Sequence, residues 1–288
     1  MQKRKKRLND LDGRTWTRFS ISVWNDIYKN APERRLKHPA LFPVTLVERL
    51  LQIFAPKGAM ILDPFLGSGS TLVGAQRLGM RGLGLEISAE YLQLFQRRLQ
   101  EEKIAAEKTE SSPGPVLVQA INDDARNLLK YAAPLTVDLC LTSPPYWNIL
   151  QEKRSADRKP LRNYGDASND LGNIGSYELF LDELEEIFAQ VYTALKNGSY
   201  CLVVVMDIRK KNIFYPLHMD LSRRMISLGF IFDDLIIWDR RQEYNNLRPL
   251  GYPYVFRVNK VHEFILIFQK PLEPTAPASK SKGLPGNP

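Results

Sequence analysis

Ser143, Pro144, Pro145 and Tyr146 follow an apolar run at residues 137–141, and their types and spacing could do chemistry. Two successive prolines cannot continue a strand or a helix, so the run must end there. At that end stand a small hydroxyl at Ser143, backbone carbonyls outside any sheet, and a flat aromatic ring at Tyr146. These groups could hold a planar amino group and stack the ring that bears it. A stiff strand-to-loop turn is the plain alternative, and a Pro-Pro-aromatic stretch alone does not separate the two.

A second motif upstream shifts the balance. The short apolar run 59–62 leads into Asp63, Pro64, Phe65, Leu66, Gly67, Ser68, Gly69, Ser70 and Thr71, and a helical pattern continues from Leu72. Strand, glycine-rich turn and helix form the unit in which backbone closely approaches a ligand at a helix N-terminus. A triphosphate loop needs a lysine before its Ser/Thr, and Gly69 stands there instead. The dinucleotide spacing is met only at Gly67 and Gly69. A second strand pattern ends at Glu86, where a nucleotide-binding βαβ unit places a carboxylate on ribose hydroxyls; an ordinary helix-start acid is the alternative. Asp123 and Asp124 close a third strand pattern. Either they meet an adenine edge or they cap the short helix predicted over 125–131.

The Asp63–Thr71 stretch followed by Thr142 and the Ser-Pro-Pro-Tyr of 143–146 resembles the amino-group DNA methyltransferases, which methylate N4 of cytosine or N6 of adenine. Residues 38–44, from His38 and Pro39 through Phe42, are similar to that family's methionine-side cofactor segment, and the likeness spans roughly residues 20–270. The resemblance implies S-adenosylmethionine as cofactor, with DNA as partner. His38, Pro39 and Phe42 would border the methionine moiety, while Asp63, Pro64, Phe65, Gly67, Ser68, Gly69 and Thr71 would line the main cleft. Glu86 would take the ribose, and Asp123 or Asp124 the adenine. It also implies a Rossmann-like α/β fold, a mostly parallel seven-stranded sheet with an antiparallel last strand.

The chemistry agrees with that likeness. An exocyclic amine is a poor nucleophile because its lone pair is delocalised into the ring. Ser143 and the Pro144 carbonyl would accept its two protons and favour a pyramidal nitrogen, with Pro145 stiffening the turn and Tyr146 stacking the flipped base. No metal is required. Methylation at cytosine C5 would need a reactive thiol, and both cysteines, Cys140 and Cys201, lie in apolar strand patterns. Serine at 143 resembles the cytosine-N4 group more than the adenine-N6 group, which makes N4-methylcytosine the expected product and adenine-N6 the alternative. Methylation of RNA bases or a glutamine amide, or a catalytically silent nucleic-acid binder, are further alternatives.

The 288 residues, 44% hydrophobic, are enough for one large domain with a substantial core. Residues 1–15 read as a flexible basic arm, 16–270 as the catalytic domain, and 271–288 as a disordered tail. The net charge is +8, and residues 3–7 supply five of the positive charges; 35 basic against 32 acidic residues remain elsewhere. A polyanionic partner is therefore indicated only weakly by charge. Candidate DNA contacts lie in two insertions: Arg154, Arg158, Lys159 and Arg162 within 148–175, and Arg240, Arg241, Tyr244 and Arg248 within 239–260. A dedicated recognition domain would be expected after the last strand, where the chain ends. Recognition is thus expected to fall to those insertions, the N-terminal arm, or a homodimeric or separate recognition subunit. No apolar run reaches membrane-spanning length, and the expected location is cytoplasmic, prokaryotic, phage or nucleoid-associated, in restriction-modification or epigenetic marking.

Overall fold

The computed structural model describes residues 7–36, 41–108, 117–148, 170–244 and 247–273. Helix α1 (Gly13–Phe19) and the two-residue strand β1 (Val23–Trp24) lead to α2 (Ala31–Arg35) and α3 (Val44–Phe54). Strand β2 (Met60–Asp63), α4 (Ser70–Arg77), β3 (Arg81–Leu85), α5 (Ala89–Lys108) and β4 (Val118–Ile121) follow as alternating units. After a 3-10 turn (Ala125–Lys130) come β5 (Val137–Thr142), a second 3-10 turn (Leu171–Asn173), α6 (Tyr177–Ala194) and β6 (Leu195–Val205). The chain continues through β7 (Ile208–Lys210), β8 (Ile213–Tyr215), α7 (Leu217–Ser227), β9 (Ile231–Asp239) and a 3-10 turn (Arg241–Glu243) to β10 (His262–Gln269).

One sheet runs in the order β1-β9-β10-β6-β5-β2-β3-β4. All its pairs are parallel except those of β10, which is antiparallel to both β6 and β9. The expected α/β architecture with an antiparallel last strand is therefore present, with eight strands where seven were expected. The extra strand is β1, which pairs Val23 with Ile237 and Trp24 with Trp238. Two residues carry no readable period.

The strand pleat divides the core in two. On β6 and β10, Cys201, Val203, Val205, Leu266 and Phe268 face one side and pack with Phe180, Leu184, Ile187, Phe188 and Val191 of α6. Leu202, Val204, Ile265 and Ile267 face the other and meet Leu46, Val47, Leu50 and Leu51 of α3. Alternation along each strand thus clothes both faces, and β5, between β2 and β6, is buried at the centre. Each such side chain contributes roughly 1.5–3 kcal/mol by leaving water. The ends of β2, β3 and β5 are consequently rigid places from which to hang loops.

Three local features go beyond what the sequence pattern shows. Gly198 does not end α6: the helix passes straight into β6 at Leu195, and Gly198 sits inside that strand at φ 79°, its N–H on the Lys270 carbonyl at 2.8 Å. The arm is anchored well before residue 15, because buried Asn9 donates to the Ile53 carbonyl at 2.7 Å and Asp12 caps α1. The β7–β8 hairpin, antiparallel with Arg209 opposite Phe214, was not expected from the sequence. Among the described residues no helix is long and apolar enough to cross a membrane.

Candidate active site

The glycine-rich turn joins β2 to α4. Gly67 and Gly69 adopt φ 55° and 83°, a left-handed conformation that L side chains rarely take. Gly69 has a second reason to be glycine, since a Cβ there would lie 2.0 Å from the Phe95 ring. Buried Arg98 of α5 holds the turn from behind, donating to the Ser68 carbonyl at 2.5 Å and reaching the Ser68 and Ser70 hydroxyls at 3.3 Å. The front is held by Glu86 at the end of β3. One carboxylate oxygen accepts the Gly67 N–H at 2.7 Å and the other accepts the Ser88 N–H at 2.8 Å. Asn122 fixes the same strand end by donating to the Glu86 carbonyl at 2.8 Å. Burial pushes the Glu86 carboxyl up to about 7, with nearby Asp63 and Asp170 adding to the rise.

Asp63 does not line the cleft. It is 1% exposed, accepts the Thr142 hydroxyl at 2.6 Å and the Phe65 N–H at 3.1 Å, and burial lifts its carboxyl to about 6. It therefore ties the glycine turn to the end of β5, across 79 positions of sequence. Thr71 likewise faces inward, its hydroxyl 3.4 Å from the Leu141 carbonyl. Thr142→Val should lower stability by about 1–3 kcal/mol, because a buried carboxyl loses one of its hydrogen-bond donors. Urea unfolding of the variant against the parent checks this.

Immediately after Thr142 comes the Ser-Pro-Pro-Tyr loop. Pro144 is buried and Ser143, Pro145 and Tyr146 are half-buried. The Tyr146 hydroxyl lies 3.2 Å from Ser143 Oγ and donates to Glu263 Oε2 on β10 at 3.2 Å. Trp147 anchors the loop: it is buried, takes a left-handed φ of 48°, and donates its indole N–H to the Ile174 carbonyl at 2.7 Å. Such a backbone is costly for a bulky residue and persists only where its surroundings enforce it. Tyr177, Tyr215 and the Lys210 ammonium, 4.6 Å from the ring, do so here.

Between the two motifs lies a cleft that is partly open, with about 790 Å³ of empty space when the solvent-open part is included. Phe42, Phe65, Gly67, Ser68, Glu86, Asp124 and Ser143 line it, as do Pro64 and Pro145. Among the described residues its charged lining side chains are the acids Glu86, Asp124 and Asp170. Asp170, whose carboxyl burial pushes up, was missed from sequence; its only local signature is as the cap of the second 3-10 turn.

The remaining candidates divide. Asp123 turns away, its oxygens taken by the Asp124 N–H, Asn127 and Tyr131. Asp124 reaches the cleft rim while also capping the Ala125–Lys130 turn and pairing with Arg126 at 2.7 Å. Arg240 is not a surface contact for phosphate. It is nearly buried, paired with Glu263 and, at 2.5 Å, with Glu243, and stacked on Trp238. Arg241 is exposed but paired with Asp239, Tyr244 is half-buried, and Arg248 is exposed. His38, Pro39, Arg154, Arg158, Lys159 and Arg162 lie outside the described residues. Both cysteines are buried neighbours on β5 and β6, and burial pushes the Cys140 thiol up, as expected of small core residues.

Residues 1–97 and 137–283, most of the chain, match the profile of the N6/N4-type DNA methylases. The chain belongs to this DNA methylase family. Two similar curated relatives are the Type II methyltransferases M.ScaI of Streptomyces caespitosus, 40% identical over 74 residues, and M2.DpnII of Streptococcus pneumoniae, 46% over 81 residues. The aligned stretches cover 26% and 28% of this chain and only 24% and 30% of those relatives. Among solved structures, a DNA modification methylase of Thermus thermophilus complexed with S-adenosyl-L-methionine is 29% identical, covers 55% of each chain, and has a TM-score of 0.36. TrmN from the same organism covers 79% of this chain and 48% of its own at 17% identity and a TM-score of 0.46.

S-adenosylmethionine is the cofactor of this family, and the cleft fits it. A sulfonium is a cation, and the charged lining residues among those described are acids. The adenosyl part needs carboxylates beside apolar walls, which Glu86 and Asp124 with Leu85, Ile87, Ala125 and Leu171 supply. Phe42 and Leu41 close the cleft from the segment before α3. That segment is set by Glu33, a buried carboxylate that accepts the Val44 N–H at 2.7 Å at a helix start where Pro43 offers no side-chain cap.

Proposed function

We propose that this DNA methylase transfers a methyl group from S-adenosylmethionine to the N4 amine of cytosine in DNA. The observation that carries the reading is Ser143 itself. It stands on a wall of the acidic cleft, at the end of the central strand, beside a half-buried tyrosine that can stack a base. When bound, the cofactor supplies a methyl group on a sulfonium that is already a good leaving group. The chain's own work is then orientation. Ser143 and the Pro144 carbonyl accept the amine protons, Tyr146 stacks the extruded base, and the acids keep a cationic donor in place while apolar walls limit water. Serine at 143, in place of aspartate or asparagine, favours cytosine.

The duplex would be gripped by the two surfaces flanking the Ser-Pro-Pro-Tyr loop. Arg209 and Lys211 are exposed on the hairpin, and Lys210 reaches Asn148 at 3.2 Å beside Trp147. Lys260 lies 4.7 Å from the Phe214 ring and joins the hairpin to the loop 247–258. Tyr252, Tyr254 and Phe256 are 78%, 91% and 91% exposed there, next to Arg248 and Arg257. Cations with exposed aromatics suit phosphate contact and base stacking. Replacing Lys211 and Arg248 together by alanine should reduce the slope of log affinity against log salt by about 2, roughly 0.9 per lost phosphate contact. Fluorescence titrations of duplex DNA at several salt concentrations measure it.

Labelled S-adenosylmethionine, mixed DNA and nucleoside mass spectrometry test the function. N4-methylcytosine is the expected product. N6-methyladenine would overturn the base and leave the amine chemistry, whereas transfer only to RNA or protein would sink the DNA reading.

A further inference from the structure

A serine hydroxyl has one proton and two lone pairs, so it can meet an amine as donor or as acceptor. Only an acceptor at position 143 takes an amine proton and leaves the nitrogen lone pair free for the methyl carbon. Aspartate at that position would be an acceptor by nature; serine must be turned the right way. The surrounding hydrogen bonds turn it. Glu263 is 5% exposed, and one of its oxygens pairs with Arg240 Nη1. Its other oxygen accepts from the Tyr146 hydroxyl at 3.2 Å. A carboxylate has no proton to give, so Tyr146 commits its single proton to Glu263. The tyrosine oxygen is left as an acceptor, 3.2 Å from Ser143 Oγ. Ser143 then spends its own proton on Tyr146, and its lone pairs remain for the cleft it lines.

We propose that Glu263 is a positioning residue that acts through Tyr146 to hold Ser143 as a hydrogen-bond acceptor toward the target amine. The half-buried pairs behind it keep the carboxylate in place: Arg240 is braced by Glu243 at 2.5 Å, and Glu243 by Lys29 at 3.4 Å. Tyr146 thereby has two separable functions, a ring for stacking and a hydroxyl for direction. This inference rests on the amino-methyltransferase reading above.

The test compares the full-length parent with Tyr146→Phe, Glu263→Gln and the double variant, in single-turnover methyl transfer to saturating DNA, alongside S-adenosylhomocysteine affinity. Tyr146→Phe keeps the stacking ring and the Glu263–Arg240 pair. Each single variant should lower the transfer rate by about 10- to 100-fold at unchanged S-adenosylhomocysteine affinity, and the double variant should be no slower than the slower single one. Independent roles would multiply the two losses and overturn the proposal, as would a Tyr146→Phe rate within about twofold of the parent. Should Glu263→Gln fail to fold with Arg240 left on Glu243 alone, Tyr146→Phe decides by itself. Failure of the parent to methylate DNA would remove the underlying reading and this proposal together. A working parent with unaffected variants would remove only the positioning role.

Discussion

Glu86→Ala should weaken S-adenosylhomocysteine binding by about 100-fold or more while the chain still folds. The carboxylate does two things at once. It accepts the Gly67 N–H, which holds the glycine turn against β3, and it lines the cleft where ribose hydroxyls are expected. Losing both the ligand bond and the shape of the turn costs more than either, since a charge-assisted hydrogen bond contributes roughly 1.5–3 kcal/mol alone. Titration calorimetry measures the affinity, and a weakening of less than about fivefold would remove Glu86 from the site.

The pH dependence follows from the same burial. The Glu86 carboxyl is pushed from 4.5 up to about 7, first by desolvation, then by Asp63 and Asp170, against the hydrogen bonds from Ser88 and Gly67. A raised carboxyl stabilises the free fold below its unfolded value, and that stability is lost as pH rises through about 7; Asp63 behaves likewise through about 6. Binding has the opposite sign. A cationic donor and ribose hydroxyls favour the ionised form, so S-adenosylmethionine affinity should rise by up to about tenfold per unit between pH 5.5 and 7 and level off above. Glu86→Gln, which cannot ionise, should bind weakly with a flat profile. A parent profile as flat as that of the variant would contradict the linkage.

What could be read from the sequence was local. Phe65 to Thr71 announces a glycine turn because Gly67 and Gly69 must take positive φ within a few residues of a strand end. Ser143 to Tyr146 announces a loop because two prolines stop β5. Unbroken apolar runs in β6 and β10 and helical spacing in α3 and α6 mark the layers, since a strand covered on both faces is apolar throughout and a helix shows its buried face in its own period. The missing parts are tertiary pairings. Thr142 meets Asp63 across 79 positions, Tyr146 meets Glu263 across 117, and Arg98 reaches Ser68 across 30. Nothing in the neighbourhood of Glu263 or Arg240 distinguishes an inward ion pair from two surface charges. For that reason Arg240 read as a phosphate contact, although it braces the carboxylate behind the Ser-Pro-Pro-Tyr loop. Asp123 and Asp124 were equivalent in sequence; one peptide of difference sends the first to its own helical turn and the second to the cleft rim.

Tyr146→Ala should abolish measurable turnover, on the order of 1,000-fold below the parent, with S-adenosylhomocysteine affinity unchanged within a few-fold. Two losses combine. Base–aromatic stacking is worth roughly 1–3 kcal/mol by alanine substitution, and the hydroxyl that directs Ser143 contributes about another 10- to 100-fold. Cofactor affinity should persist because Tyr146 packs beside the α6 core and faces Ser143 and Glu263, while the walls proposed for the adenosyl part are Glu86, Ile87, Ala125 and Leu171 on other elements. Tyr146→Phe should fall between parent and alanine, which separates ring from hydroxyl. Trp147, one position on, holds the backbone of the loop through Ile174, so Trp147→Ala should instead damage folding and transfer together. Rapid-quench transfer rates beside calorimetric affinities for the three variants distinguish these cases. Equal collapse of cofactor affinity and transfer in Tyr146→Ala would place that side chain in the cofactor cleft and end its assignment to the target base.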